Sequence, residues 1–370
     1  MTRILYSVCG IGMGHATRST YLIEELSKQN EVLILSHGKA FEYFSKKFPH
    51  VHKIEGFELG FSGTEFDKSK TVSLNLPKVP RLLTYNSKVL LKLIKSFKPQ
   101  LIVTDFDPNA LFAGNFFRIP VITITNMHLM NFIKPKLSWK DKFEFFWSEK
   151  IILKSFSSSN DLIVSSFAKP KNVKKKKYHF FYPLVRREIL ELSKKIKVSH
   201  KKTSVIYLDQ HILKNLEPLL VHFPERTFII YSAVGNLKLT NVVYKKFDAQ
   251  NFLADLIACD SVICHGGISM LSEAVVLHKP VYVCSDKNFF ERYYNGTVLQ
   301  DQGLAVLEEQ PFLAGLKVFF NSLQEINQNY TKTKIVPENE KILKKIQQII
   351  KQKAKSENYK LPLLLEKLNI

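Results

Sequence analysis

Gly10-Ile11-Gly12-Met13-Gly14-His15 and His265-Gly266-Gly267 are the two stretches of this chain whose residue types could do chemistry. Each follows an apolar, strand-like run and precedes a helical pattern. Glycines at such a junction let backbone N–H groups close on an anion at a helix N-terminus. A dinucleotide fingerprint would need glycine at 15, where His15 stands, and the second strand ends in Ser36-His37 instead of an acidic residue for a ribose. A nicotinamide-dependent enzyme is therefore disfavoured. His15 at the helix start could take a proton from an acceptor hydroxyl, or hydrogen-bond an acceptor phosphate; the competing reading is a helix cap. In the second stretch the start of the helix Ile268–Val276 offers N–H groups to a diphosphate, and Glu273 could accept both hydroxyls of a ribose. Asp105 and Asp107 follow the apolar run Leu101–Thr104, and either is a candidate partner for His15, against the alternative of a helix N-cap before Pro108. Asn126 and His128 end the next apolar run and are candidates to line the same cleft. For His128, a satisfied structural histidine is the competing reading.

These residues need elements to hold them. Strands are predicted at Arg3–Cys9, Glu31–Ser36, Leu101–Thr104, Val121–Thr125 and Asp161–Ser166, with a helix over His15–Gln29. The continuous β-branched runs are those of strands buried on both faces of a parallel sheet. The pattern breaks at Phe167–Pro183, where six lysines and two prolines read as a linker or surface loop. A second series follows at Thr203–Leu208, Thr227–Ser232, Val242–Phe247, Ser261–His265 and Val281–Cys284. Two such series predict an α/β protein of two Rossmann-like, doubly wound lobes facing a cleft, with ligands beyond the carboxyl ends of the strands. The expected organisation is an acceptor lobe with a basic linker over 1–185, a donor lobe over 186–335 and a helical segment over 336–370. In that last segment Ile342, Ile346, Ile349 and Ile350 share one face, expected to pack back on the first lobe.

With both loops, their helices and Glu273 in view, the chain resembles the two-lobed GT-B UDP-glycosyltransferases. These are related to the peptidoglycan lipid-intermediate GlcNAc transferase and to the UDP-glucuronosyl/glucosyltransferases. The family signature G-x-G-x-G-H-x-x-R is matched by Gly10, Gly12, Gly14, His15 and Arg18. The resemblance implies that this loop faces the acceptor and that His15 is the base or an acceptor contact. It also implies a donor site of His265 on the diphosphate, Gly266, Gly267 and Ser269 in the loop, Glu273 on the ribose, and Glu291, Arg292 and Asn295 toward the sugar. Pro183-Leu184-Val185-Arg186 is similar to the family's interdomain P-x-x-R stretch. Retaining relatives carry E-x7-E, which would place Glu at 265; His265 implies inversion. Three positions depart from the pattern. Met270 replaces a hydroxyl residue, Arg292 replaces glutamine, and Leu208-Asp209-Gln210 stands where relatives have Gly or Ser for the β-phosphate. No cofactor or metal is expected beyond the UDP-sugar itself. Two alternatives compete with a transferase: a UDP-sugar 2-epimerase of the same fold, and a catalytically silent protein binding a nucleotide or an anionic polymer.

The composition bounds the partners. Among 370 residues, 54 Lys and Arg against 33 Asp and Glu leave a net charge of +21, and 45% hydrophobic content excludes a disordered chain. That charge asks for an anionic partner. The chain lacks the recognisable nucleic-acid-binding patterns, so nucleic acid is not the expected one. Trp139, Phe143, Phe146 and Trp147 fall at helical spacing among Lys136, Lys140, Lys142 and Lys150, a pattern that suits a core-facing helix or one lying in a membrane interface. Cys9, Cys259, Cys264 and Cys284 form no C-x-x-C pair and fit a reducing compartment. With no run long enough to span a bilayer and no signal-peptide pattern, the expectation is a cytoplasmic protein. It would dock peripherally on the inner face of a membrane and act on a lipid-linked acceptor.

Overall fold

The computed structural model describes residues 1–62, 65–134, 153–194, 202–232, 237–285, 287 and 289–353. Two large parallel sheets dominate it. The first holds β1 (Arg3–Val8), β2 (Glu31–Ser36), β3 (Val51–Lys53), β4 (Leu101–Asp105), β5 (Val121–Thr125), β6 (Asp161–Ser165) and β7 (Tyr178–Phe181). Their order across the sheet is β3-β2-β1-β4-β5-β6-β7. The second holds β8 (Thr203–Tyr207), β9 (Thr227–Tyr231), β10 (Val242–Lys245), β11 (Ser261–Cys264), β12 (Val281–Cys284) and β13 (Ala305–Glu308), in the order β10-β9-β8-β11-β12-β13. Both sheets thus run outward in one direction from their first strand and then reverse, the doubly wound order that opens a crevice at the reversal point.

Strand alternation explains why the apolar runs are unbroken. Ile4, Tyr6 and Val8 face a core shared with Leu22, Ile23 and Leu26 of α1 (Gly14–Ser27), while Leu5 of the same strand faces a second core with Leu33, Leu35 and Leu111. Successive side chains of a strand point to opposite faces, so a strand covered on both must be apolar throughout. The helices that bear on the site are α1, α2 (Pro108–Phe117), α3 (Gln210–Leu216), α4 (Ile268–Val276) and α5 (Phe290–Gln300). A final helix, α6 (Asn339–Lys353), sets Ile342, Ile346, Ile349 and Ile350 into the first lobe's core beside Ile4 and Leu22.

The Phe167–Pro183 stretch is not wholly a loop. Tyr178–Phe181 forms β7, paired in parallel with β6 from Leu162↔Tyr178 to Ser165↔Phe181. The lysine run stops at Lys177, and the aromatic run after it packs Tyr178 and Phe180 against Phe132, at 5.0 and 4.9 Å between ring centroids. The aromatic and lysine-rich pattern between Lys136 and Lys150 lies outside the described residues.

Candidate active site

At the reversal point of the first sheet, β1 runs into the Gly10–Gly14 loop and β4 ends in Asp105, its immediate neighbour across the ladder (Val8↔Asp105). His15 and Arg18, one turn apart on α1, both lean onto that carboxylate. Asp105 accepts at Oδ1 from His15 Nδ1 at 2.8 Å and from Arg18 Nη2, and at Oδ2 from Arg18 Nε at 2.8 Å and Ser19 Oγ at 2.7 Å. Burial alone would push the Asp105 carboxyl up. The Arg18 guanidinium and His15 outweigh it and hold the group below the usual carboxylate range. An ionised Asp105 fixes the imidazole proton on Nδ1 and leaves Nε2 as the basic atom. The His15 side chain is 20% exposed and Asp105 fully buried, so the histidine alone of the pair faces solvent.

Asp107 has a different post. Its side chain caps α2, accepting from the Asn109 amide at 3.2 Å, and bonds Ser7 Oγ. The residue between, Phe106, has φ +58°, in the left-handed region that a bulky side chain seldom occupies. That twist sends the two carboxylates to different partners and lays the Phe106 ring near His15, stacked at 6.0 Å, and against Phe156 at 4.5 Å. Arg18 is 5% exposed and is turned into the protein against Asp105. Gly10 donates its amide to His37 Nε2 at 2.9 Å, and the space over Gly12 is open. His128 is fully buried, bonded to Thr125 Oγ1 and the Leu153 carbonyl, both at 3.1 Å. It plays a packing role.

The second sheet repeats the arrangement. β8 leads to Asp209 and β11 to His265, from neighbouring strands paired in parallel up to Tyr207↔Cys264. The His265 ring accepts from the Gly267 amide at 3.2 Å. Gly266 has φ +83°, and a Cβ there would stand 2.6 Å from the Arg292 carbonyl, so α5 closes on this turn only because it is glycine. Asn295 braces the turn from α5 by donating to the Gly266 carbonyl at 3.1 Å. Arg292 pairs with Asp209 and lays its guanidinium over the Phe289 ring at 4.2 Å. Glu273, on the buried side of α4, accepts from Arg186 Nη2 at 2.7 Å.

The two loops face each other at close range. A Cβ on Gly14 would stand 2.6 Å from Ser269 Oγ, so the first loop touches the start of α4. Asn126, from the end of β5, donates to Glu291 Oε1 at 3.0 Å, and Tyr294 donates to the Ile133 carbonyl at 2.8 Å. The predicted acceptor and donor loops therefore meet at one interlobe crevice, with Arg18, Asp105, Asp107, Asn126, His128 and Asn295 buried behind its surface. Among the described residues no group of three or more His, Cys, Asp or Glu is placed to hold a metal.

The sequence pattern of glycosyl transferase family 1 matches residues 2–323. The chain belongs to this family. An uncharacterized glycosyltransferase of Methanosarcina mazei is 24% identical to it over 322 residues, 81% of this chain and 84% of the relative. The glycotransferase of kitacinnamycin superposes with a TM-score of 0.68 at 14% identity, over 95% of this chain and 99% of that one. Phytolacca americana UGT2, complexed with UDP-2fluoro-glucose and pterostilbene, superposes with a TM-score of 0.65 at 12% identity, over 94% and 99%. The protein is a glycosyltransferase of the two-lobed GT-B fold.

Three contributors to the site of this glycosyltransferase had weak sequence signals. Ser19 stands four residues after His15, the spacing of one helix face. Asp209 was visible only as a departure from the family pattern. Phe106 carried no signal, because a left-handed phenylalanine looks like any other.

The buried histidines also set a pH response. Burial, reinforced for His265 by the Arg292 charge, pushes His265 and His128 each down to about 4. An unfolded histidine protonates near pH ~6.5. Between those values the unfolded chain binds more protons, so stability falls as pH is lowered through that window. Asp105 is depressed and ionised throughout it, and so does not offset the loss. The urea midpoint is expected to be lower at pH 5 than at pH 7, with the unfolding free energy falling by up to about 1.4 kcal/mol per pH unit for each histidine. Equal midpoints would contradict the neutral, buried assignment.

Proposed function

We propose that this glycosyltransferase moves the sugar of a UDP-sugar to a hydroxyl or phosphate acceptor with inversion, using no metal or other cofactor. The observation that carries the reading is the His15–Asp105 pair at the crevice, with Nδ1 committed to a buried carboxylate and Nε2 available. In the reaction, His15 Nε2 takes the acceptor O–H proton as the oxygen attacks the anomeric carbon. The bond from that carbon to the β-phosphate oxygen breaks on the opposite face, and UDP leaves with the electron pair. Asp105 stabilises the imidazolium that results. A phosphate acceptor arrives ionised and needs no base. The α4 N–H groups and His265 face the leaving diphosphate, and Glu273, shared with Arg186, accepts the ribose hydroxyls.

A uridine donor is supported by the match of His265, Gly267 and Glu273 to the family pattern, and by the UDP-2fluoro-glucose carried by a protein of the same fold. A lipid-linked acceptor at an anionic, cytoplasmic membrane face is our reading of the charge. It is supported by Lys154, Lys174 and Lys175, which line a first-lobe cavity of about 530 Å³. No described helix is long and apolar enough to cross a membrane.

Calorimetric titration with UDP tests the donor site. Glu273→Ala is expected to weaken UDP about 10- to 100-fold, the worth of hydrogen bonds to a charged group. Equal affinity in the variant would overturn the ribose assignment. Incubation with UDP-GlcNAc alone separates transfer from 2-epimerisation, since only the latter yields an epimer.

A further inference from the structure

Beyond the family's donor residues, the Asp209–Arg292 pair has the placement of a ligand-exchange element. Asp209 follows β8 and His265 follows β11, at the reversal point of the second sheet, where ligands of such sheets bind. Arg292 reaches Asp209 from the first turn of α5, its guanidinium over the Phe289 ring. It adjoins Glu291, which bonds Asn126 of the other lobe, so the pair lies on the crevice. The pair is reachable there, with 19% of the Arg292 side chain and 28% of the Asp209 side chain exposed. Asp209 also stands at the N-cap position of α3 with extended backbone, yet its side chain makes no capping bond. A carboxylate in the most favoured capping position is instead given to the arginine. The other titratable groups near it are His265, His211 and Tyr207.

We propose that Asp209 is an internal stand-in for the donor: it holds Arg292 until anionic oxygens of the nucleotide sugar, from its diphosphate or from a sugar carboxylate, take its place. This rests on the donor reading above. A guanidinium receives carboxylate and phosphate oxygens in the same planar, paired geometry, so the exchange preserves its bonds. It leaves Asp209 without its cation and beside a second anion. The stand-in therefore lowers donor affinity and discriminates against small monovalent anions, which offer Arg292 no more than Asp209 does.

The test compares wild type, Asp209→Asn and Asp209→Asn/Arg292→Gln by calorimetry, using UDP, UDP-glucose, UDP-glucuronate and inorganic diphosphate. Asp209→Ser serves if the asparagine variant misfolds. Freeing Arg292 is expected to tighten binding roughly tenfold, and the double variant should lose the gain. Tightening with every probe identifies the diphosphate as the incoming anion; tightening confined to UDP-glucuronate identifies the sugar carboxylate. Unchanged or weaker binding of all probes by both Asp209 variants overturns the proposal. Absence of uridine-nucleotide binding by wild type overturns the donor reading separately, because inorganic diphosphate tests the exchange without the nucleoside.

Discussion

His15→Ala is expected to lower the turnover rate for a hydroxyl acceptor by about 10² to 10⁴-fold, the usual contribution of a positioned general base. UDP affinity should stay within about twofold, since a change worth less than ~0.4 kcal/mol is expected when no donor contact is lost. The separation follows from the architecture. His15 belongs to α1 in the first lobe, while the predicted donor contacts, Glu273 and the 265–267 turn, belong to the second. Truncation leaves Asp105 its Arg18 and Ser19 bonds, so the fold persists. The readout is UDP release from the donor, with the acceptor that the wild type turns over or by slow donor hydrolysis without one. Undiminished release for a hydroxyl acceptor would remove His15 from the chemistry. A rate loss matched by lost UDP affinity would move it to donor binding.

Asp105→Asn should be the most damaging conservative change in the first lobe. Arg18 is 5% exposed and its guanidinium depends on Asp105 for its counter-charge. Removing one partner of a buried pair leaves the other charge uncompensated, at about 3–5 kcal/mol. The asparagine NH2 would also have to face an arginine, a hydroxyl or the His15 Nδ1–H, all donors to the native carboxylate. Urea unfolding measures the loss. Asp105→Asn/Arg18→Met is expected to regain much of the stability, because an apolar replacement for a buried ion pair is often near neutral. It should not regain turnover, since His15 would still lack the carboxylate that orients it. Recovery of both would make Asp105 a purely structural residue.

Most of the strands that sequence reading found are covered on both faces, where burial forces an unbroken apolar run; the edge strand β10 was found as well. Among the strands of the two large sheets, those it did not find, β3, β7 and β13, are short edge strands. With one side unpaired, each tolerates His52-Lys53, His179 or Glu308, and the periodic signal disappears. Within the site, residues carried by one loop were legible together. Pairs such as Arg186–Glu273 and Asp209–Arg292 join residues distant in the chain, and a single sequence holds no trace of which cation meets which carboxylate. The choice between Asp105 and Asp107 shows the same limit at short range. It is decided by the backbone twist at Phe106, a property of the folded surroundings.

The position of α6 has a consequence for how the molecule is made. Ile342, Ile346, Ile349 and Ile350 complete the core begun by Ile4 and Leu22, while the whole second sheet lies between them in sequence. The two chain crossings are joined where Asn339 exchanges hydrogen bonds with the Val185 backbone, at 3.1 and 2.7 Å. The second lobe is thus spliced into the first. Domains ordinarily fold in the order in which the ribosome releases them. Here the first lobe emerges first but is finished last. Until α6 clears the exit tunnel its core stays open along one face, and the second lobe, translated later, can close before it.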